Sequence, residues 1–141
     1  MNAREKTYVY RIWNSQRPCV FERRFVTVVQ ERLYRKAMEQ AAALLIGEHD
    51  FSAFCANPRM KKSTVRELRK LQILRQGEDV RLSFPANGFL QGMVRILTGT
   101  LIEVGLGQRS PESVGALFGQ PRAQAGFLAP AQGLCLEEVF Y

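Results

Sequence analysis

One arginine stands alone inside the most apolar stretch of this chain. Arg95 is the only charged residue between Arg81 and Glu103, within the segment NGFLQGMVRILTGTLIEVG at positions 87–105. A guanidinium carries a planar fork of donors that can hold both oxygens of a carboxylate or a phosphate. The residue therefore indicates a ligand-binding cation, an internal salt bridge, or an arginine whose stem runs out to the surface.

Three glycines share a helical stripe with this arginine. On a wheel of about 100° per residue, Gly88, Gly92, Arg95 and Gly99 follow one another at steps of four, three and four residues. A glycine inside a helix costs roughly 1 kcal/mol relative to alanine, so such a stripe is typical of a surface that another group approaches closely. We expect a shallow trough that holds one guanidinium, beside a broad apolar face formed by Phe89, Leu90, Met93, Val94, Leu97, Leu101 and Val104.

The other reactive side chains form no recognisable catalytic set. His49 precedes Asp50, but neither a second histidine nor a nucleophile motif accompanies them, so His49 is interpreted as a surface residue before a helix cap. Ser52, Ser63 and Thr64 have no base at a recognisable spacing.

Composition indicates a cytosolic globular domain. The chain has 141 residues, of which 46% are hydrophobic and 23% charged, which fits one domain with its own core. No apolar run approaches the roughly 18 residues of a membrane span, and the N-terminus lacks a signal-peptide pattern. Cys19, Cys55 and Cys135 are far apart and, with a single histidine, give neither metal-ligand spacing nor a disulfide framework. Reduced thiols are expected.

The net charge of +7 is concentrated in two blocks. Residues 1–36 hold nine Lys and Arg against three acids, and residues 59–75 hold seven against one. From residue 76 onward four basic residues face six acidic ones. A positive surface of this kind indicates a polyanion such as nucleic acid, although a solvated face without a partner gives the same pattern.

Hydrophobic periodicity predicts the elements that position these groups. Residues 7–13 alternate as a strand, with Tyr8, Tyr10 and Ile12 on one side, and taken alone both tyrosines are expected to pack against neighbours. An irregular basic connection follows, and then a helix from about residue 30 to 46, stopped by Gly47. The remaining expected elements are a short helical turn capped by Asp50, a hairpin of residues 67–75 and 80–86, a helix at 87–104, a short helix starting at Ser110 and ending near Gly119, and a last strand at 133–141.

The order β-α-β-β-α-β predicts an α+β, ferredoxin-like fold, with an antiparallel sheet and helices packed on one face. There is no internal repeat or low-complexity linker, so residues 1–141 are expected to form a single domain. The first strand begins almost at the first methionine, and we expect the chain to be part of a longer protein.

Five stretches stand in the order found in one enzyme family. They are KTYVYRI, GEHDFSAF, STVREL, NGFLQGMVRILTGTLIEVG and PAQGLCLEEVFY. With these motifs the chain resembles the C-terminal half of the bacterial tRNA pseudouridine synthase A family over nearly its whole length. The run around Arg95 is the most specific of them.

The resemblance implies an isomerase that converts uridine to pseudouridine in the anticodon stem-loop of tRNA. An aspartate attacks the nucleotide, the glycosidic bond breaks, and the uracil rotates and rejoins the ribose through carbon 5. The family uses no metal and no organic cofactor. The resemblance also implies tRNA as partner, a homodimeric full-length protein and a cytoplasmic location.

The resemblance assigns roles to residues of this chain. Tyr8 would pack against the flipped base and assist proton removal from carbon 5, Arg95 would orient the catalytic aspartate, and Leu134 would form an apolar wall of the uracil pocket. From the second basic block, the expected tRNA-binding residues are Lys61, Lys62 and Arg66.

The catalytic aspartate of the family is expected to lie outside this chain. It belongs to a glycine-arginine-threonine-aspartate loop in the N-terminal half, whereas the two aspartates here, Asp50 and Asp79, fit a helix cap and a hairpin turn. The isolated chain is therefore expected to be inactive. Two alternatives remain open: a non-catalytic RNA-binding module of ferredoxin-like fold, and a domain whose main task is dimerisation.

Overall fold

The computed structural model describes residues 5–19, 25–57, 59 and 62–140. Within these ranges the strands are β1 (Glu5–Asn14), β2 (Thr27–Val29), β3 (Gly47–Asp50), β4 (Val65–Leu68), β5 (Gln72–Gln76), β6 (Asp79–Ala86) and β7 (Leu134–Phe140). The α-helices are α1 (Arg35–Leu45), α2 (Met93–Gly105) and α3 (Pro111–Gly115), and short 3₁₀ turns lie between β3 and β4 and between α3 and β7. Across the same ranges, no helix has the length and apolar character needed to cross a membrane.

Four strands form the predicted ferredoxin-like core. β1 lies between β6 and β7 and is antiparallel to both, and β5 pairs with the far edge of β6. The spatial order β7-β1-β6-β5 is what two crossing β-α-β units produce when their helices lie on one face. The expected α+β fold is confirmed.

The sheet contains more strands than the sequence predicted. Within the basic connection, β2 runs parallel to the end of β1, so the sheet is not purely antiparallel. β3 follows α1 directly and pairs with β4. The strand predicted at 67–75 is divided into β4 and β5, and the division lies beside Pro85 of β6, which has no N–H to donate to a ladder.

β7 contains a bulge opposite the start of β1. Thr7 is paired with Glu138, but the next residue, Tyr8, is paired with Leu136, so Glu137 is the extra residue. A bulge of this kind places two residues of one strand against one of the other and locally re-aims the side chains.

Helix α1 differs from its predicted limits. It begins at Arg35 rather than near residue 30 and ends at Leu45, and Gly47, with φ of 111°, opens β3 instead of closing the helix. Its buried face includes Met38 and Ala42, whereas Leu44 is 41% exposed.

Helix α2 is the centre of the core. Its apolar face is buried as predicted, from Met93 to Val104, and it packs on α1 through Gly105. A Cβ on Gly105 would lie 2.7 Å from the sulfur of Met38, and the Gly105 carbonyl accepts from Tyr34 N at 2.9 Å. The glycine therefore permits close approach of the two helices.

Helix α3 begins with the predicted serine. The Ser110 hydroxyl accepts from Ser113 N at 3.3 Å at the start of α3, with Pro111 at its first position, although α3 ends at Gly115 and not near Gly119. Phe51, which precedes the 3₁₀ turn at Ser52–Phe54, and Phe54 within it are both fully buried.

Candidate active site

Three distant parts of the chain meet at one pocket of about 260 Å³. Tyr8 comes from β1, Leu134 from the start of β7, and Arg95 from the first turn of α2. Residues 89–94 complete the wall. The structure thus brings together the three residues to which the family resemblance assigned catalytic or uracil-binding roles.

A left-handed glycine sets where α2 begins beside this pocket. Gly92 has φ of 70° and precedes Met93, so the helix starts six residues later than the predicted start at residue 87. A Cβ there would also lie 3.1 Å from Ala56, whose N–H donates to the Gln91 carbonyl at 2.8 Å. Because residues 87–91 are not helical, Phe89 reaches the ring of Tyr8 in an edge-to-face contact, 5.0 Å between centroids.

Arg95 is held by backbone, not by a carboxylate. Its Nε donates to the Ala129 carbonyl at 2.7 Å, and its own carbonyl accepts from Ala129 N at 3.1 Å. The side chain is half-buried, and its two terminal nitrogens form no hydrogen bond or ion pair with any residue that the structure describes. Of the three interpretations of this arginine, the internal salt bridge is therefore wrong for the described residues.

The glycine stripe does not form an open trough. Residues 125–129, which we call the strap, lie on α2 along Gly99, where a Cβ would be 1.8 Å from the Phe127 carbonyl oxygen. Thr100 Oγ1 accepts from Gly126 N at 2.9 Å and fixes the other end of the strap. Gly88 lies elsewhere, where a Cβ would be 3.5 Å from Arg66 Nε. The close approach that the glycines permit is made by the chain itself, and the open space beside the stripe lies at Tyr8, Arg95 and Leu134.

The second tyrosine of the strand has a structural role. Tyr10 is fully buried; its hydroxyl donates to the Pro130 carbonyl at 2.6 Å and lies 2.5 Å from the Thr27 hydroxyl. Burial raises the pKa of Tyr10 above its ordinary value, while the Thr27 hydrogen bond and the charge of Arg95 lower that pKa. Tyr10 therefore joins β2 to the residue after the strap, whereas Tyr8 is half-buried at the pocket.

Neither aspartate of the chain lines the pocket. Asp50 Oδ1 accepts from Ser52 N at 3.1 Å and from the Thr64 hydroxyl at 2.5 Å. Phe51 occupies the cap position of the 3₁₀ turn, so Asp50 bonds the turn from one residue before the cap. Asp79 accepts from Arg81 Nε at 3.1 Å and pairs across the sheet with Trp13, at the end of β1 remote from Tyr8.

Of the three predicted tRNA-binding residues, the structure describes two. Lys61 lies outside the described residues, and Lys62 is exposed. Arg66 is half-buried, and its Nη1 donates to the carbonyls of Ser63 and Val65, both at 2.7 Å, so part of its guanidinium is bonded locally.

The remaining polar candidates have structural surroundings. The His49 ring stacks on the Phe118 ring, with 3.9 Å between centroids and planes 11° apart. His49 is half-buried, whereas a surface residue was expected. Cys55 and Cys135 are free thiols. Within the described ranges, no group of three His, Cys, Asp or Glu side chains is close enough to bind a metal ion.

Two features of the pocket were missed from the sequence. The Ala129 carbonyl, which directs the arginine, belongs to a segment expected only as a loop, and Phe89 was assigned to the helix rather than to the contact with Tyr8. The sequence carried one signal for the strap, because the glycine at 99 needs a close neighbour and Gly126 stands in the following loop.

Comparison with known proteins finds a matching family and many similar sequences. The sequence profile of the family described as tRNA pseudouridine synthase matches residues 41–141. The chain is similar to tRNA pseudouridine synthase A of Syntrophotalea carbinolica, with 47% identity over 96% of this chain and 54% of that protein. Similarity extends to tRNA pseudouridine synthase A of Geotalea uraniireducens, at 43% identity over 99% and 58%, and to tRNA pseudouridine synthase A 2 of Bacillus anthracis, at 42% over 98% and 57%. The chain spans little more than half the length of these relatives.

Proposed function

The chain belongs to the tRNA pseudouridine synthase family, and we propose that it provides one wall of the uracil pocket of such an enzyme. The observation that carries this proposal is the meeting of Tyr8, Arg95 and Leu134 at one pocket, although they stand far apart in the sequence. In this function, the chain acts as the C-terminal half of a longer protein and isomerises uridine in the anticodon stem-loop of tRNA together with the rest of it.

Each side chain has a stated task in the proposed reaction. Tyr8 presents an aromatic face to the extruded uracil, and its hydroxyl receives or relays the proton lost from carbon 5. Leu134 excludes water from the edge of the base. Both terminal nitrogens of Arg95 are unengaged within the described residues and form a bidentate pair with the attacking aspartate.

The aspartate comes from outside this chain in the proposal. Asp50 and Asp79 are bonded to Thr64 and Arg81, away from the pocket, which supports assigning the nucleophile to another segment. The reaction balances without a co-reactant. The aspartate bond to the nucleotide forms and later breaks, and the N1–C1′ bond is exchanged for a C5–C1′ bond. Carbon 5 loses one proton to solvent and N1 takes one up, so the product is an isomer of the substrate.

Tritium release from tRNA labelled at uridine carbon 5 tests the proposal. We expect no release by the 141-residue chain alone, and release when a polypeptide with the glycine-arginine-threonine-aspartate loop, taken from the Syntrophotalea relative, is joined to it. In the joined protein, Arg95→Ala should lower kcat about 100-fold or more with little change in KM, since the lost interaction is made to a reacting group. Arg95→Lys should retain part of the activity.

The matched control is Arg81→Ala, which removes an exposed arginine that pairs with Asp79 at the far end of β6. Its activity should stay within about 2-fold of the unsubstituted protein. Isomerisation by the chain alone would refute the external aspartate. Full activity of the joined Arg95→Ala protein would make Arg95 a purely structural residue.

A non-catalytic RNA-binding module is the second candidate, because neither aspartate of the chain lies at the pocket. The joined protein distinguishes the enzyme from the binding module. A module would bind tRNA tightly and release no tritium, whether position 95 is arginine or alanine. We also propose that the full-length protein is a cytoplasmic homodimer. Sedimentation of the chain and of the joined protein measures whether the dimer requires the added segment.

A further inference from the structure

A second, larger pocket of about 680 Å³ lies at the opposite end of β1 from Tyr8. Among the residues that the structure describes, four basic side chains and no acidic one line it. Arg32 precedes α1, Arg35 and Lys36 begin that helix, and Arg75 comes from β5. Arg35 also pairs with Glu39 on the next turn of the helix, 2.9 Å apart, so the local excess of positive charge rests mainly on the other three. We call this space the basic pocket.

The basic pocket is built around a buried polar side chain. Asn14 is only 5% exposed, and its Nδ2 donates to the carbonyls of Val29 and Glu31 at 2.9 and 2.7 Å. Its Oδ1 accepts from Leu33 N at 3.2 Å and from Arg75 Nη1 at 2.9 Å. One amide therefore fixes the segment that carries the cations and anchors the Arg75 guanidinium, whose other nitrogens bond no described residue.

An exposed aromatic ring stands among these charges. Tyr34 is 59% exposed, and the guanidinium carbon of Arg32 lies 5.4 Å from its ring centroid. Cations that neutralise phosphates, next to an aromatic face on which a base can stack, are the combination by which proteins bind unpaired nucleotides. An acidic protein segment would use the cations but would leave the ring without a partner.

The basic pocket is separated from the uracil pocket by the length of β1. Asn14 lies six positions after Tyr8 along β1. At a rise of about 3.3 Å per residue, the two sites are about 20 Å apart. At about 3.4 Å per nucleotide of stacked strand, that distance corresponds to roughly six nucleotides. One RNA molecule can therefore occupy both places.

We propose that the basic pocket binds two phosphates and one unpaired base of the RNA whose uridine enters the uracil pocket. The phosphates contact Arg32, Lys36 and Arg75, and the base stacks on Tyr34. The link to that uridine rests on the function proposed above, whereas the binding of RNA at this place does not.

Fluorescence anisotropy with a labelled uridine-rich RNA oligonucleotide tests the binding. The double variant R32Q/K36Q removes two exposed charges from the 141-residue chain without touching Asn14. We expect at least a 10-fold loss of affinity near 0.1 M salt and a decrease of about 1.4 in the slope of log K against log salt. The matched control K70Q/R81Q removes two exposed charges elsewhere and should lose no more than about 3-fold. Equal losses in the two double variants would overturn the proposal, because they would reflect net charge alone.

Tyr34→Ala tests the stacked base separately. The Tyr34 side chain makes no capping hydrogen bond to α1, so the helix should be retained. Affinity should fall between about 5-fold and 100-fold with an unchanged salt slope. An unchanged affinity would overturn the stacking, and displacement of the RNA by polyglutamate at equal charge concentration would identify an acidic protein as the partner.

RNA binding by the chain and activity of the joined protein, measured side by side, separate failure of this inference from failure of the proposed function. If only the proposed function fails, RNA binding remains dependent on Arg32, Lys36 and Tyr34, while the joined protein forms no pseudouridine. If only this inference fails, the joined protein is active, and R32Q/K36Q leaves its KM for tRNA unchanged.

Discussion

Replacing Gly99 with alanine should detach the strap from α2. The added Cβ would lie 1.8 Å from the Phe127 carbonyl oxygen and 2.8 Å from its carbon. Because both are backbone atoms, no side-chain rotation relieves the contact. The strap must move outward by about 1.6 Å to reach ordinary van der Waals contact at 3.4 Å.

The cost of this movement follows from the hydrogen bonds that it breaks. Those at risk join Ala129 N to Arg95 O at 3.1 Å, Arg95 Nε to Ala129 O at 2.7 Å, and Gly126 N to Thr100 Oγ1 at 2.9 Å. At about 1 kcal/mol each the loss is about 3 kcal/mol, and alanine returns about 1 kcal/mol of helix propensity. We expect Gly99→Ala to lower the free energy of unfolding by about 2 kcal/mol.

Urea unfolding followed by far-UV circular dichroism measures this change. Gly115→Ala is the matched control, because it also adds a methyl group to a helical glycine but meets Leu44 only at an ordinary 3.5 Å. The Arg95 Nε–H resonance provides a second measurement, since it should be protected from solvent exchange in the unsubstituted chain and lose protection in Gly99→Ala. Equal stability of Gly99→Ala and the unsubstituted chain would refute the assignment of Gly99 as the contact that seats the strap.

Three further substitutions probe the bonds around the two pockets. Tyr10→Phe should cost about 1–2 kcal/mol through the lost bonds to Thr27 and Pro130. Burial raises the pKa of Tyr10, so the tyrosine of the unfolded chain ionises first as pH rises. The stability that this group contributes is therefore full below about pH 10 and decreases above it. Urea unfolding between about pH 9 and 11 should show this decrease in the unsubstituted chain and not in Tyr10→Phe. Asn14→Ala removes four hydrogen bonds and should cost about 3 kcal/mol in the same assay, with weaker RNA binding at the basic pocket. Gly133→Ala places a Cβ 2.8 Å from the Tyr10 ring and should cost about 1–3 kcal/mol, visible as a lower melting temperature.

Patterns that repeat along the chain were sufficient for the main elements of the fold. β1, β6 and the apolar face of α2 were predicted because burial alternates with the period of the element, which a short window of sequence records. The start of α2 was wrong because Gly92 fits a helical pattern in the sequence but has positive φ in the structure. The short strands β2 and β3 carry too few residues for a period to be recognised.

The candidate site depended on contacts that no local pattern records. Residues 8, 95 and 134 were named together through the family resemblance, and their shared pocket follows from the pairing of β7 with β1. The strap was not predicted, since its seat on Gly99 depends on residues almost 30 positions apart. The basic pocket was missed for the same reason, because Arg75 reaches Arg32 and Lys36 only through the fold.

The bulge at Glu137 decides which face of β7 borders the pocket. Residues directly opposite in an antiparallel pair project to the same side, so Leu136 and Leu134 share the side of Tyr8 and Tyr10. If the pairing of Thr7 with Glu138 continued without the extra residue, Glu137 would stand opposite Tyr8, and Leu134 would project to the other side of the sheet. A single inserted residue thus keeps Leu134 on the side of Tyr8 and Tyr10, and places a hydrocarbon, not the Glu137 carboxylate, opposite the tyrosine of the pocket.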